Sequence, residues 1–222
     1  MQQVGATQTP RQERAVRTRR RILEAAGHKF DANGFKDTTI EQVLNLAGVT
    51  RGAFFYHFKS KKLLALAVIE EQIQDISVPP QRVKLQEFVD AGYLLAHRLR
   101  GDPIARGANR LAMDQGSDHL NSTESMDKWT DFVVELLTEA RKREEILEWV
   151  AIRDTAELFV TSFAGIQHMS RAKDDRKTLG HRLTHFWKHT LPTVATSAAL
   201  AHLVIHPDRA LEILDVTEVV AE

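Results

Sequence analysis

Apolar residues recur at intervals of three and four along most of this chain, and strand-like alternation is nearly absent. That spacing buries one stripe of an α-helix, so the chain reads as all-α, with about nine to eleven helices. A first helix is expected from about Arg17 to Ala32, with Ile22, Leu23, Ala26 and Phe30 inward and Asn33-Gly34 as its stop. A short second helix carries Ile40, Val43, Leu44 and Ala47, and Thr38 with Glu41 fits a capping box at its start. Gly48 then supplies a positive φ, Val49 plugs the angle, and Thr50 caps a third helix over Arg51–His57. Ser60 starts a fourth helix that runs to about Ile76 and is apolar nearly all round, through Leu63, Leu64, Leu66, Ala67, Val68, Ile69 and Ile73. Such a helix is covered on more than one side, which makes it a candidate lever between a head and a body.

Pro79-Pro80 breaks the chain. Beyond it, helices are expected at about 81–100, from Asp102-Pro103 to about Gln115, across Trp129–Ala140, at about 154–171 and at about 175–191. A polar loop is expected at 116–123. Two short helices follow, at about 196–205 and after Pro207. The division that results is an N-terminal arm at 1–15, a three-helix helix-turn-helix domain with its linker helix at 16–76, and a second helical domain at 77–222.

The turn between the second and third helices is the feature with chemical direction. Two short helices joined by a glycine turn form the motif that places its second helix in a DNA major groove. Gly52 and Ala53 leave the nose of that helix without bulk, and Arg51 can reach a guanine edge or a phosphate. Lys61 and Lys62 stand in the first turn of the next helix, against its dipole, and a bound phosphate would relieve that conflict. Net charge is zero, but its distribution agrees with the motif. Residues 1–62 hold 12 Lys and Arg against 5 Asp and Glu, and the remainder is acidic by the same margin. Only the contact face of a DNA-binding protein needs to be positive. Arg14, Arg17, Arg19, Arg20 and Arg21 could touch phosphates or a minor groove, or equally form a solvated face.

Several chemistries find no support. Cysteine is absent, which excludes disulfides and cysteine–zinc sites. No apolar run is long enough to span a membrane, and a cytoplasmic location is the expectation. No nucleophile elbow, phosphate loop or dinucleotide fingerprint occurs, so no enzyme activity, catalytic residue or cofactor is expected. His181, His185 and His189 share a helix face at metal-ligand spacing, but without an HExxH glutamate they read as a polar or subunit-contact edge.

The segment GVTRGAFFYHFKSKKLL resembles the TetR family of bacterial one-component repressors, and the resemblance runs from about Arg17 to about Gln72. It implies a helix-turn-helix motif at 39–58 and phosphate contacts from Thr39, Thr50, Tyr56, His57 and Lys61. It also implies base contact from Arg51, Gly52 and Ala53. Phe55 stands where the family usually has tyrosine, so packing or thymine-methyl contact is expected there, and Phe54 and Phe58 read as core. DPIARGANRLAMDQ, Trp129 and FVTSFAGIQHMS are similar to the γ-butyrolactone autoregulator receptors within that family. That likeness implies a homodimer through the two helices at 154–191, and a lactone-type signal lying under Trp129. Thr161 would then bond the signal, with Phe163, Gln167 and Met113 as further wall. The expected partners are an inverted-repeat DNA operator, a small-molecule effector and a second copy of the chain. Other members of the subgroup answer to antibiotics. An enzyme on this fold and a ligand-independent DNA-binding protein are the rival classes.

Overall fold

In a computed structural model, residues 10–74, 76–113 and 122–221 are described. The helices are α1 (Pro10–Asp37), α2 (Ile40–Ala47), α3 (Arg51–His57), α4 (Lys61–Gln74), α5 (Lys84–Gly101), α6 (Pro103–Met113), α7 (Ser122–Lys142), α8 (Ile152–Asp174), α9 (Leu179–Thr190), α10 (Ser197–Leu200) and α11 (Arg209–Ala221). The described residues contain no strand, only one isolated bridge between Ile146 and Ala195. The chain divides into two units, 1–72 with 103–122 and 73–102 with 123–222. The polar stretch expected at 116–123 falls almost wholly outside the described residues, as does the arm up to Thr9.

The first unit, the head, is cored by Ile22, Phe30, Val43, Phe54, Phe58, Leu64 and Val68. α1 begins at Pro10, earlier than the apolar stripe suggests, because proline suits a first helical turn and Glu13 complements the dipole there. Gly34, at φ 74° and ψ −176°, interrupts it where a stop is expected, and helical geometry resumes to Asp37. The cap of α2 sits one residue later than the Thr38–Glu41 pattern. Thr39 and Gln42 form the capping box, while Thr38 is fully buried and donates to the carbonyls of Gly34 and Lys29. Both threonines fit the same sequence spacing, and burial decides between them.

α6 also belongs to the head, although its sequence reads as part of the body. Ile104, Ala108 and Leu111 enter the head core. Arg106 Nε donates to Asp31 Oδ2 at 2.7 Å, and Gln72 Nε2 donates to the Ala105 carbonyl at 3.2 Å. The crossing of α6 over α1 is backbone on backbone: a Cβ at Gly27 would lie 2.3 Å from the Pro103 carbonyl oxygen. A Cβ at Gly107 would lie 2.6 Å from the Cα of Gly27. No rotamer change relieves contacts of that kind, since the obstructing atoms are main chain.

The second unit, the body, is held by buried polar contacts between distant segments. α5 starts at Lys84 because the buried Glu145 carboxylate accepts from the Lys84 and Leu85 amides at 2.9 and 2.7 Å. Asp90 has no exposed surface and takes both guanidinium arms of Arg209 at 2.9 Å, which docks α11 on α5. That contact raises the Arg209 pKa, chiefly through the Asp90 bonds. Tyr93, also buried, shares a 2.8 Å hydrogen bond with Thr184, and burial pushes its phenol up to about 12. Phe88, Phe159, Phe186 and Trp187 form one aromatic cluster, with Trp187 at 4.9 to 5.5 Å from the other three rings. α9 starts at Leu179 rather than 175, because Asp175 and Arg176 take left-handed conformations that end α8 and turn the chain.

The glycine crossing gives a direct test. Gly27→Ala should lower head stability by about 1–3 kcal/mol through overpacking. Urea unfolding followed by a head-specific probe measures it, and Gly101→Ala, at a site with no atom within 4 Å of the new Cβ, is the neutral control.

Candidate nucleic-acid interface

α3 has only seven residues, too few to persist as an isolated helix. Three devices hold it. Phe54 is fully buried, and Phe55 and Phe58 lie 5.2 and 6.1 Å from it, ring to ring. Thr50 caps the start by accepting from the Ala53 amide at 3.2 Å. The turn before it is set by Gly48, at φ 61° and ψ 43°, whose amide returns to the Leu44 carbonyl. Arg21 braces the same turn: its Nη2 donates to the carbonyls of Ala47 and Gly48 at 2.6 and 3.3 Å.

The outward side of α3 is only lightly engaged by the head. Arg51 and Gly52 are exposed, and a Cβ at Gly52 would meet nothing within 4 Å. No contact among the described residues therefore calls for glycine there. Arg51 pairs with Glu41 at 3.2 Å, with both side chains more than half exposed. An ion pair in such surroundings contributes at most about 1 kcal/mol and exchanges readily for another partner. Its guanidinium also lies 5.6 Å from the Phe55 ring centre. Tyr56 is 71% exposed. Thr39 and Thr50 each use oxygen lone pairs to cap a helix, which leaves the hydroxyl proton able to donate to an outside acceptor. His57 is half-buried, and its pKa is lowered, first by burial and then by the charge of Arg19.

Lys61 is placed differently from Arg51. Its Nζ donates to the carbonyls of Phe35, Lys36 and Thr38 at 2.8, 3.2 and 2.8 Å, and it stands 4.5 Å from the Phe35 ring centre. The end of α1 thus supplies the negative partner that the α4 dipole denies it. The conflict between Lys61 and that dipole is settled inside the head, where the sequence suggests relief by a bound phosphate. Lys62 is exposed.

The residues expected around a small molecule fall in both units. Met113 belongs to α6 of the head and is 37% exposed, whereas Trp129, Thr161, Phe163 and Gln167 are in the body. Trp129 is half-buried, edge-on to Phe132 at 5.9 Å. On α8, Phe163 and Gln167 are one turn apart, half-buried and buried respectively. Thr161 is exposed and donates to its own helix at the Glu157 carbonyl, 2.7 Å away. Six residues rotate a helix by about 240°, so Thr161 and Gln167 cannot share a face. Along α9, His181, His185 and His189 are exposed, His189 Nδ1 lies 2.7 Å from the His185 carbonyl, and no metal-competent cluster exists among the described residues.

Two residues of the turn escape the sequence reading: Gln42 as the capping partner and Arg21 as the brace. The first has a signal in the doubled threonine. The second has none, because Arg21 reaches carbonyls 26 and 27 residues away.

Residues 22–68 match the tetR family of bacterial regulatory proteins. The A-factor receptor protein of Streptomyces griseus is 33% identical over 193 residues, covering 87% of this chain and 69% of the relative. The crystal structure of TylP, described as a TetR regulator from Streptomyces fradiae, is 36% identical, covers 92% of this chain and 91% of its own, and superposes with a TM-score of 0.84. A γ-butyrolactone receptor structure, 22% identical at a TM-score of 0.67 and covering 90% and 98%, shares the fold. Among the described residues no helix is long and apolar enough to cross a membrane.

Two contrasts test the geometry in the absence of DNA. Gly52→Ala should leave the head as stable or more stable, by up to about 1 kcal/mol, because alanine is the better helix former and the space is open. Lys61→Met should cost about 1–3 kcal/mol by stranding carbonyls at the end of α1. Thermal unfolding of both variants measures the difference. A pH test follows from His57. Its folded pKa is depressed, so the unfolded chain binds the proton more readily, and head stability falls as pH drops below about 6.5. His57→Gln should flatten that fall, as read by unfolding between about pH 7.5 and 5.

Proposed function

This chain belongs to the TetR family of bacterial DNA-binding regulators, and we propose that it is a repressor that leaves its operator on binding a small signal of γ-butyrolactone type. Its relatives are transcriptional regulators, not enzymes. The observation that carries the DNA-contact reading is the open nose of α3: a capped helix start with exposed Arg51 and a Gly52 that no described internal contact requires. In this reading Arg51, Gly52 and Ala53 face the bases, with Phe55 packing beside them. Thr39, Thr50, Tyr56 and His57 hold the backbone. Lys61 acts mainly by fixing the end of α1 and adds its charge to the same face.

A single seven-residue helix reads few base pairs, so a second copy is required for specificity. α8 supports a homodimer. Leu158 and Met169 are 59% and 48% exposed, and Thr161 and Gly165 lie between them at helical spacing, with open space beside Gly165. Paired heads would then engage an inverted repeat with half-sites about one helical turn apart.

The receptor name of the Streptomyces griseus relative supports a small signal, and the fold shared with a γ-butyrolactone receptor supports its lactone type. Trp129, Phe163 and Gln167 remain candidates to meet the ligand. Thr161 fits a dimer seam better, and Met113, on α6, is a weaker candidate for the wall. Ligand and DNA must weaken each other by the same factor. The chain passes between its two units inside α4, at Asp102-Pro103, and at Ser122-Thr123. α4, the start of α6 and the start of α7 are therefore the covalent routes by which a change in the body reaches the head.

Selection of duplexes from a random library, followed by anisotropy titration with γ-butyrolactones, tests this function. The expected outcome is an inverted repeat, released by a lactone, with Arg51→Ala relaxing base preference and Gly52→Ala weakening binding despite its stability. Recovery of no preferred duplex would refute the regulator reading. Release by an antibiotic alone, with lactones inert, would refute the ligand class.

A further inference from the structure

Arg14, Arg17, Arg19, Arg20 and Arg21 of α1 sort into two sets. Arg19 and Arg20 turn toward acidic partners: Arg19 meets Glu71 at 3.0 Å, and Arg20 meets Glu24 at 3.0 Å and Glu71 at 3.7 Å. Arg14, Arg17 and Arg21 lie three and four residues apart, on one stripe of the helix. With Thr18 they line a concavity whose other wall is Gly48, Val49, Thr50 and Ala53, the turn and the first residues of α3. Arg21 is committed by one arm to the Ala47 and Gly48 carbonyls. Arg14 and Arg17 are exposed, and their side chains make no hydrogen bond or ion pair among the described residues. Thr18 donates its hydroxyl to the Arg14 carbonyl at 2.8 Å and serves as wall.

Three guanidinium groups and no carboxylate line this hollow, so its chemistry is that of an anion site. Thr50 also lines it, and its hydroxyl, which accepts from the Ala53 amide, keeps a proton to donate. Guanidinium binds phosphate through paired N–H donors and is weakly hydrated, which suits a phosphodiester. The hollow opens beside the nose of α3, so an occupant there lies next to any duplex that α3 reads.

We propose that this hollow is a backbone-phosphate site, in which Arg14 and Arg17, with the Thr50 hydroxyl, clamp the strand flanking the bases met by α3. The proposal rests on the DNA-binding reading and extends the interface from the helix-turn-helix to the first turns of α1. The positive charge of the N-terminal segment then serves to register α3 on the groove without reading sequence.

The test compares wild type, Arg14→Ala/Arg17→Ala and Arg14→Lys/Arg17→Lys on the selected duplex and on an unrelated duplex of equal length, across a salt series. The alanine pair should bind both duplexes about tenfold or more weakly near 0.1 M salt, with base preference intact. The slope of log affinity against log salt should fall by roughly 0.9 for each phosphate contact removed. The lysine pair should recover most of the slope, and unfolding of all three proteins should coincide, since neither arginine side chain has a described partner. If the wild type selects a duplex and the alanine pair keeps the wild-type slope, this inference alone is overturned. A changed base preference at the flanks with an unchanged slope also overturns it, because the arginines would then be reading a groove. Failure of the wild type to select any duplex would remove the function on which the inference stands.

Discussion

The fully buried ring of Phe54 is the contact on which the head's function depends. A helix as short as α3 has no stability of its own to spare. It persists because Phe54 and Phe58 sink into a core built by α1, α2, α4 and α6, while its first turn is capped by Thr50. Everything that α3 offers to a partner lies on the other side of that anchorage. The inside face is closely packed and the outside face is open. That asymmetry lets a glycine stand in the first turn of a helix where alanine would fit just as well by internal packing.

Around that anchor the head uses its charges in two ways. Some are held by the fold: Lys61 on the carbonyls ending α1, Arg21 on those ending α2, Arg106 on Asp31, and Arg19 on Glu71. Others are exposed at the edge of the turn, as Arg14, Arg17 and Arg51 are. The first group fixes the geometry that the second group presents. A substitution in the first group lowers affinity by loosening the head, and one in the second lowers affinity while leaving the head intact. Measuring stability beside affinity separates the two.

Local patterns make much of this legible from the chain. The Gly48 turn, the Thr50 cap, the Arg51–His57 helix and the buried Phe54 and Phe58 all depend on neighbours within a few residues, and the spacing carries them. The α2 cap differs by one residue because Thr38 and Thr39 both satisfy the same pattern, and only the tertiary burial of Thr38 distinguishes them. Chain order suggests that α6 continues from α5 into the body, and it misleads. The amphipathic stripe of α6 shows that it is buried, not against what. The Gly27–Gly107 crossing that ties it to α1 joins residues eighty positions apart. Glu145 at the start of α5 and Asp90 under Arg209 are invisible in the sequence for the same reason. The candidate ligand residues show the limit of a motif read without its helix phase. Thr161 and Gln167 sit in one matching stretch, yet the pitch of α8 turns one outward and the other inward. The contact face of the head is more legible because its residues cluster at one turn.

Hydrogen exchange with and without the selected duplex is the most direct measurement of the central claim, that α3 is held from within so that its outer end can meet DNA. The account predicts slowed exchange on DNA addition across residues 38–62 and at the start of α1, with α5 unchanged. Slowing confined to the body, with residues 38–62 exchanging as before, would contradict it.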